Sequence, residues 1–419
     1  MPGVQIPLHP QMKSILKQTS WLFGAQALGR IIGFFYTIYL ARSLGVEDFG
    51  LYSVALAYYS LFAAFADFGF SRFLIREIAK GSIKIAEVFS NISILRLTIT
   101  SLLFAVFSLV LYIFDPDKFR VGLSLLAILT VLPASVAQTA DSIFIAVQKM
   151  KLSALSLVVL NVATTLAGIF LLNSGFGTTG AVVALIVGQV AYLVVTLALL
   201  KFQKMALLSF IKTKVLIKVI KGALPYGLLA ILGLIYFRID TLLLSYMRGN
   251  FETGIYSAGY KFLEALVFIP SSLAIVLFPT LAKLHDHDLT KIKLLFSQSV
   301  KTMVFLSALV FLAYNLILPP LIRFFLPSYL PAIEVIRILS LTVPFMFIYV
   351  PASQILLSTD KYLKQVILIS LLPLLFNIIL NLIFIPRFGF LAASWITVAS
   401  DILSTALIIF FIRKFIFKR

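Results

Sequence analysis

Gly45-Val46-Glu47-Asp48-Phe49-Gly50-Leu51-Tyr52-Ser53 and Gly249-Asn250-Phe251-Glu252-Thr253-Gly254-Ile255-Tyr256-Ser257 are two versions of one line. Two glycines, the tyrosine and the serine are identical at an offset of 204 residues, and an acid stands in each copy at Asp48 and Glu252. Each copy separates two long apolar runs. A repeat of half the chain predicts two similar helical bundles in place of one large core. Its glycines read as tight turns, and its acids suit the N-terminal end of the following helix.

The composition sets the class. The 419 residues are 61% hydrophobic and only 12% charged, with a mean hydropathy of +1.08. A soluble domain carries roughly twice that charge. Apolar runs of about 20 residues recur from end to end and are continuous, not alternating, which predicts an all-α polytopic membrane protein and excludes a β-barrel. Twelve spans are expected at roughly 16–41, 50–70, 88–114, 121–147, 152–172, 179–200, 222–247, 254–281, 294–318, 331–358, 363–385 and 389–412. Asp115-Pro116-Asp117, Asn173-Ser174-Gly175, Leu318-Pro319-Pro320 and Pro386-Arg387 mark joints. Stretches 72–87 and 201–221 read as basic, amphipathic segments on the membrane face. The first apolar run has full span length, so no cleavable signal peptide is expected. There is no cysteine, which removes disulfides and thiol chemistry.

The net charge of +19 is distributed by topology. On the face of the N-terminus the loops hold 23 of the 35 lysines and arginines, and the opposite loops hold six: Arg42, Lys118, Arg120, Arg248, Arg323 and Arg387. The positive-inside rule then places both termini in the cytoplasm of a cell-membrane protein. The basic charge faces anionic lipid, and nucleic acid is not expected as a partner. The repeat continues at an offset of 212, where Leu129-Thr130-Val131 matches Leu341-Thr342-Val343 and Phe176-Gly177 matches Phe388-Gly389. Six spans per half make the repeats parallel. The expected organisation is a six-helix bundle over 1–204, a basic cytoplasmic linker over 205–221 and a second bundle over 222–419, pseudo-symmetric about a central cleft. That is a common construction for a transporter.

No catalytic motif is present. HExxH, GxSxG and GxxxxGK[ST] are all absent, so neither an enzyme nor an ATP-driven pump is expected, and no cofactor. His285-Asp286-His287-Asp288 reads as a solvated loop, not a metal site. The informative residues are the six cations inside spans. Lys301 and Arg337 lie close enough to span ends to snorkel. Arg30, Arg96, Arg238 and Lys261 lie deeper, where facing lipid would cost each about 2.5–3.5 kcal/mol. They are therefore expected to face protein or a wet cavity. At the 204 offset Arg238 corresponds to Phe34, one turn from Arg30 on the same helical face, so each half offers one arginine on a similar stripe. An arginine pair suits a diphosphate, because guanidinium donates to phosphate in bidentate fashion. The competing reading pairs each cation with a buried acid: Asp240 beside Arg238, Glu264 three residues after Lys261. The embedded acids Asp141, Asp240, Glu264 and Asp401 could carry a coupling proton or hold a sodium ion, or balance charge. Asp67 is expected to pair with Arg72 or Arg76. Prolines 133, 225, 270, 344, 351 and 373 can kink helices.

Ala41-Arg42-Ser43-Leu44-Gly45, Phe49-Gly50-Leu51-Tyr52 and Asp67-Phe68-Gly69, followed by Pro225-Tyr226-Gly227, Arg238-Ile239-Asp240, Gly254-Ile255-Tyr256-Ser257-Ala258 and Pro279, resemble the polysaccharide repeat-unit flippases. These Wzx-like proteins belong to the multidrug/oligosaccharidyl-lipid/polysaccharide exporter superfamily. The resemblance covers nearly the whole chain. It implies a V-shaped pair of six-helix bundles, acting as a monomer, that moves a polyprenyl-linked glycan from the inner to the outer leaflet by alternating access. It also implies a cationic cleft, which fits Arg30 and Arg238. The sister drug exporters extrude organic cations and rely on acids in the first or seventh helix. Here the first helix has Arg30 and no acid, while Asp240 in the seventh stands beside an arginine. An ion-coupled drug or small-solute exporter is the second expectation. A glycosyltransferase would need a large external loop, and these loops are short.

Overall fold

The computed structural model describes residues 10–79, 85–205, 210, 213–284 and 289–417. Among them the regular structure is helical throughout, with no strand. The helices are α1 (Pro10–Leu44), α2 (Val46–Asp67), α3 (Phe70–Ala79), α4 (Ile85–Phe114), α5 (Lys118–Leu129), α6 (Val131–Ala146), α7 (Met150–Asn173) and α8 (Gly177–Phe202). They continue with α9 (Thr213–Arg248), α10 (Asn250–Leu266), α11 (Phe268–Leu284), α12 (Leu289–Leu316), α13 (Leu318–Phe325), α14 (Ala332–Ser340), α15 (Val343–Leu357) and α16 (Leu363–Phe415). His9, His285 and His287 lie outside the described residues.

Eight stretches are long and apolar enough to cross a membrane, and the α14–α15 pair, bent by 48°, makes a ninth. The stretch Lys364–Lys414 counts as one of the eight but runs for 51 residues, against about 20 for one crossing. It turns at Gly389, whose φ of 56° no ordinary helix contains, and so supplies two spans. α1, with Gln26 and Arg30 diluting its apolar run, and the pair α10–α11 complete twelve. The chain is an all-helical, multi-pass membrane protein.

Proline chemistry explains where spans break. A proline has no N–H to give the carbonyl four residues earlier, and its ring clashes with that carbonyl. α5 ends at Leu129, four before Pro133, and α10 ends at Leu266, four before Pro270. α12 ends at Leu316, four before Pro320, and α14 at Ser340, four before Pro344. Pro351, Pro373 and Pro386 sit inside continuous helix instead. The expected joint at Pro386-Arg387 therefore falls three residues later, at Gly389. At Asp115-Pro116-Asp117 the turn is as expected. Asp117 accepts the Arg120 N–H as the cap of α5, and Asp115 holds the Arg120 guanidinium at 2.8 and 2.5 Å.

The chain forms two compact units. Unit 1 comprises residues 1–39 and 58–231, and unit 2 residues 40–57 and 232–419. α1, α2 and α9 are thus each divided between units. In unit 1 the short helix α3, bounded by the left-handed corner Phe68 (φ 42°) and Gly69 (φ 78°), buries Phe70, Phe73, Leu74 and Ile78 in a core with Phe89, Ile92, Ile143 and Phe144. Gly227 and Gly222 of α9 lie against this corner. A Cβ at Gly227 would approach the Phe68 carbonyl oxygen to 2.6 Å, and one at Gly222 the Phe73 ring to 2.0 Å. Leu102, Leu109, Ile113, Leu166 and Phe170 are exposed, as a lipid-facing surface requires.

In unit 2 the two copies of the repeated line pack on each other. Gly45 (φ 78°) and Gly249 (φ 85°) make the turns into α2 and α10. Gly50 and Gly254 lie within those helices and permit a backbone-to-backbone crossing. A Cβ at Gly50 would stand 1.9 Å from the Asn250 carbonyl oxygen, and one at Gly254 would stand 2.0 Å from that of Val46. Val46 and Asn250 are themselves equivalent at the offset of 204, so the contact is reciprocal, as across a two-fold axis. Tyr329 closes this corner: its hydroxyl donates to the carbonyls of Ala41 at 2.8 Å and Gly45 at 2.9 Å.

Candidate functional site

In unit 1, Arg30 lies on α1 and is exposed. It lines a cavity of about 230 Å³ with Ala25, Gln26, Gly29, Leu157 and Asn161. The helical period puts Gln26 and Arg30 on one face, one turn apart. Gly29 lets α1 approach α7 closely, since a Cβ there would stand 2.7 Å from the Asn161 side-chain nitrogen. Asn161 donates that nitrogen to the Leu157 carbonyl at 2.7 Å.

Arg96 is buried and engaged. Its guanidinium donates to Asp67 Oδ1 at 2.7 Å, Ser71 Oγ at 2.9 Å and the Ser135 carbonyl at 3.2 Å. The ring of Phe70 lies 5.8 Å away. Asp67 therefore pairs with Arg96, not with Arg72 or Arg76 as the sequence suggested. Proximity in sequence favoured the latter pair, whereas the α2–α3 corner turns Asp67 toward α4. Asp67 also accepts the Ser71 N–H and hydroxyl, at 3.3 and 2.6 Å, so one carboxylate ties α2, α3 and α4. Asp141 on α6 faces the hydroxyls of Ser153 and Tyr192.

Unit 2 holds two charged clusters. In the first, Glu264 accepts from Arg238 at 2.6 Å and from Lys261 at 2.8 Å. The Lys261 pair is the i,i+3 contact expected. Arg238 takes Glu264, not its sequence neighbour Asp240, because residues two apart on a helix point to different faces. The side chains are 17, 30 and 23% exposed for Arg238, Glu264 and Lys261. Two cations on one carboxylate leave one positive charge within reach of water.

The second cluster centres on Asp240, which is 3% exposed. Its Oδ2 accepts from the Tyr256 hydroxyl at 2.9 Å and from Thr397 Oγ1 at 2.8 Å, and its Oδ1 from Asn381 Nδ2 at 2.7 Å. The same Asn381 nitrogen reaches Asn377 Oδ1 at 2.9 Å. Asn381 Oδ1 is buried without a protein donor. Asp401 accepts from the Tyr236 hydroxyl at 2.6 Å. α9, α10 and both arms of α16 thus converge on one carboxylate dressed with neutral oxygens. The hydrogen bonds to Asp240 all come from neutral groups. Among the described residues no group of three or more histidine or acidic side chains could hold a metal ion. A single carboxylate among hydroxyls and amides matches a proton or a monovalent hard cation. Asn377, Asn381 and Thr397 were not singled out in the sequence, and Tyr256 was read only as part of the repeated line. The available signal was an i,i+4 asparagine pair in an otherwise apolar run.

Glu252 of the repeated line does more than start α10. Its Oε2 accepts the Phe390 N–H at 3.0 Å, capping the second arm of α16 at the Gly389 turn, and its Oε1 accepts Arg248 Nε at 2.7 Å.

Comparison with known proteins places this geometry in context. Residues 15–285 match the family described as polysaccharide biosynthesis protein, and residues 225–383 match the MatE family. An uncharacterised membrane protein of Methanocaldococcus jannaschii is 28% identical over 186 residues, 44% of this chain and 43% of that protein. The match thus spans less than half of that relative's length. Among solved structures, the lipid II flippase MurJ in an inward-closed conformation superposes with a TM-score of 0.74 at 17% identity, covering 95% of this chain and 88% of that one. A multidrug-resistance MATE transporter in an inward-facing conformation gives 0.73 at 14% identity, covering 93 and 95%. At these identities the structural likeness establishes the fold, the one expected from the flippase resemblance.

Proposed function

The chain belongs to the polysaccharide biosynthesis protein family, and from that premise we propose that it is a transporter, acting as a monomer in the cell membrane, that flips a polyprenyl-diphosphate-linked oligosaccharide from the inner to the outer leaflet. The observation that carries this reading is the exposed Arg30, mid-way along α1, beside a cavity with two carboxamides. A guanidinium exposed at that depth can donate to the oxygens of an anionic head group in bidentate fashion. The diphosphate would bind Arg30. The largely buried Arg238–Lys261–Glu264 cluster would add one net positive charge, and the lipid tail would remain in the bilayer. Arg96, held by Asp67, has a structural role. With both termini cytoplasmic, the basic loops meet anionic lipid on the side where the substrate is made.

The Asp240 cluster is the place for a coupling ion, carried as co-substrate. Sodium would be met by the Asp240 carboxylate with the Asn377, Asn381 and Thr397 oxygens, and a proton by Asp240 alone. This cluster, together with the MatE match over residues 225–383, which takes in Asp240, Tyr256, Asn377 and Asn381, also supports the second reading, an ion-coupled exporter of small solutes. The test is export of surface glycan by a host strain dependent on this protein. Arg30→Ala is expected to abolish export and Arg238→Ala to reduce it, with both proteins present in the membrane at normal level. Full export by both variants refutes the flippase reading. Dye efflux that survives both substitutions, without any effect on surface glycan, establishes the exporter.

A further inference from the structure

The cavity beside Arg30 contains more than a cation. Asn161 sits on α7 with its side-chain nitrogen committed to the Leu157 carbonyl. That carbonyl can only accept, so the contact fixes which end of the amide is nitrogen. The Asn161 Oδ1 is thereby left to act as an acceptor, and Asn161 is one of the residues lining the cavity. Gln26, one turn before Arg30, lines the same cavity. It is exposed, and its amide can both donate and accept. Arg30 donates only. The three together present a donor fork for an anion, flanked by an acceptor and by a group of either sense. A bare phosphate, which only accepts, has no use for the Asn161 oxygen. A hydroxyl or N–H adjoining the phosphate does.

We propose that Asn161 and Gln26 are specificity residues that read the first sugar of a glycosyl diphosphate, the Asn161 oxygen accepting from a sugar hydroxyl or acylamino N–H while Arg30 holds the adjacent phosphate. This rests on the flippase reading above. It adds to it that the pocket in unit 1 distinguishes a glycosylated lipid diphosphate from the sugar-free one. A site built to pair with a hydroxyl rejects the analogue lacking it, because its own polar group is left without a partner.

The test is equilibrium binding of undecaprenyl diphosphate, and of the same lipid carrying one N-acetylglucosamine, to the purified full-length protein. Wild type should prefer the glycosylated lipid. Asn161→Leu and Gln26→Leu should each lose about three- to tenfold in affinity for it, the worth of one hydrogen bond, and leave the sugar-free lipid unchanged. Arg30→Ala should weaken both lipids. Leu157 keeps its helical backbone partner in Asn161→Leu, and Gln26 is exposed, so Gln26→Leu tests the idea even where Asn161→Leu does not fold. Retained preference in both leucine variants, equal loss for both lipids, or no preference in wild type overturns the proposal and leaves the flippase reading standing. An Arg30→Ala protein that binds both lipids normally removes the flippase reading itself.

Discussion

The reciprocal crossing of α2 and α10 makes a quantitative prediction. An alanine at Gly50 would bring its methyl to 1.9 Å from the Asn250 oxygen, and one at Gly254 to 2.0 Å from that of Val46, where contacts under 3.0 Å essentially do not occur. The obstructing atoms are backbone, so no rotamer change relieves them and the helices must part by about 1 Å. Overpacking of this kind costs about 1–3 kcal/mol. Each single substitution should therefore destabilise by that amount. The double variant should cost less than the sum, by about 1 kcal/mol, because the first methyl has already separated the backbones that the second would meet. Gly233→Ala on α9, with nothing within 4 Å, is the control and should be neutral or stabilising by up to about 1 kcal/mol. Reversible SDS unfolding of the purified protein measures all four. Costs below about 0.5 kcal/mol for the single variants, or strict additivity in the double, would refute the crossing as described.

Three further outcomes follow from the clusters. Asp67→Ala strands the guanidinium of a buried Arg96 and should cost about 3–5 kcal/mol, whereas Arg96→Met leaves an Asp67 that is 26% exposed and should cost clearly less; the same unfolding assay compares them. Glu252→Ala removes the cap on Phe390 and the partner of Arg248, for about 1–2 kcal/mol, against less than about 1 kcal/mol for the equivalent Asp48→Ala. Asp240→Asn removes a buried charge that only neutral groups compensate, so the protein should be at least as stable while transport in proteoliposomes no longer responds to replacing sodium by choline or to an imposed pH gradient. Wild-type transport indifferent to both gradients would contradict the coupling role.

Much of the fold was legible because bilayer physics writes it in long apolar runs. Proline marks some of the breaks, those after Leu129, Leu266, Leu316 and Ser340, each four residues before Pro133, Pro270, Pro320 or Pro344. Pro351, Pro373 and Pro386 leave their helices continuous, so proline alone does not say where a span breaks. The site was only partly legible. Lys261 and Glu264 are neighbours on one helix, so their pairing follows from spacing. The partners of Asp67 and Arg238 depend on how helices turn against one another, which spacing along one helix does not encode. The Asp240 shell is built from Tyr256, Asn381 and Thr397, residues whose polarity is modest and whose convergence is purely tertiary. The repeated line was half understood: Gly45 and Gly249 are turn glycines as read, while Gly50 and Gly254 serve contact, and a glycine's sequence does not say which.

The pairing of Gly50 with Asn250 and of Gly254 with Val46 has a consequence for how such a chain arises. A surface on which position i meets j while j meets i is complementary to a copy of itself, the condition for an isologous dimer. A six-span ancestor carrying a single copy of the line would already have possessed an adhesive face for its twin. On such an origin, fusion of two copies would have no contact to invent at this corner; it would need only to join two chains that already fitted. Residues 1–204 expressed alone are accordingly expected to self-associate through Gly50, and a bulky residue there should return them to single chains.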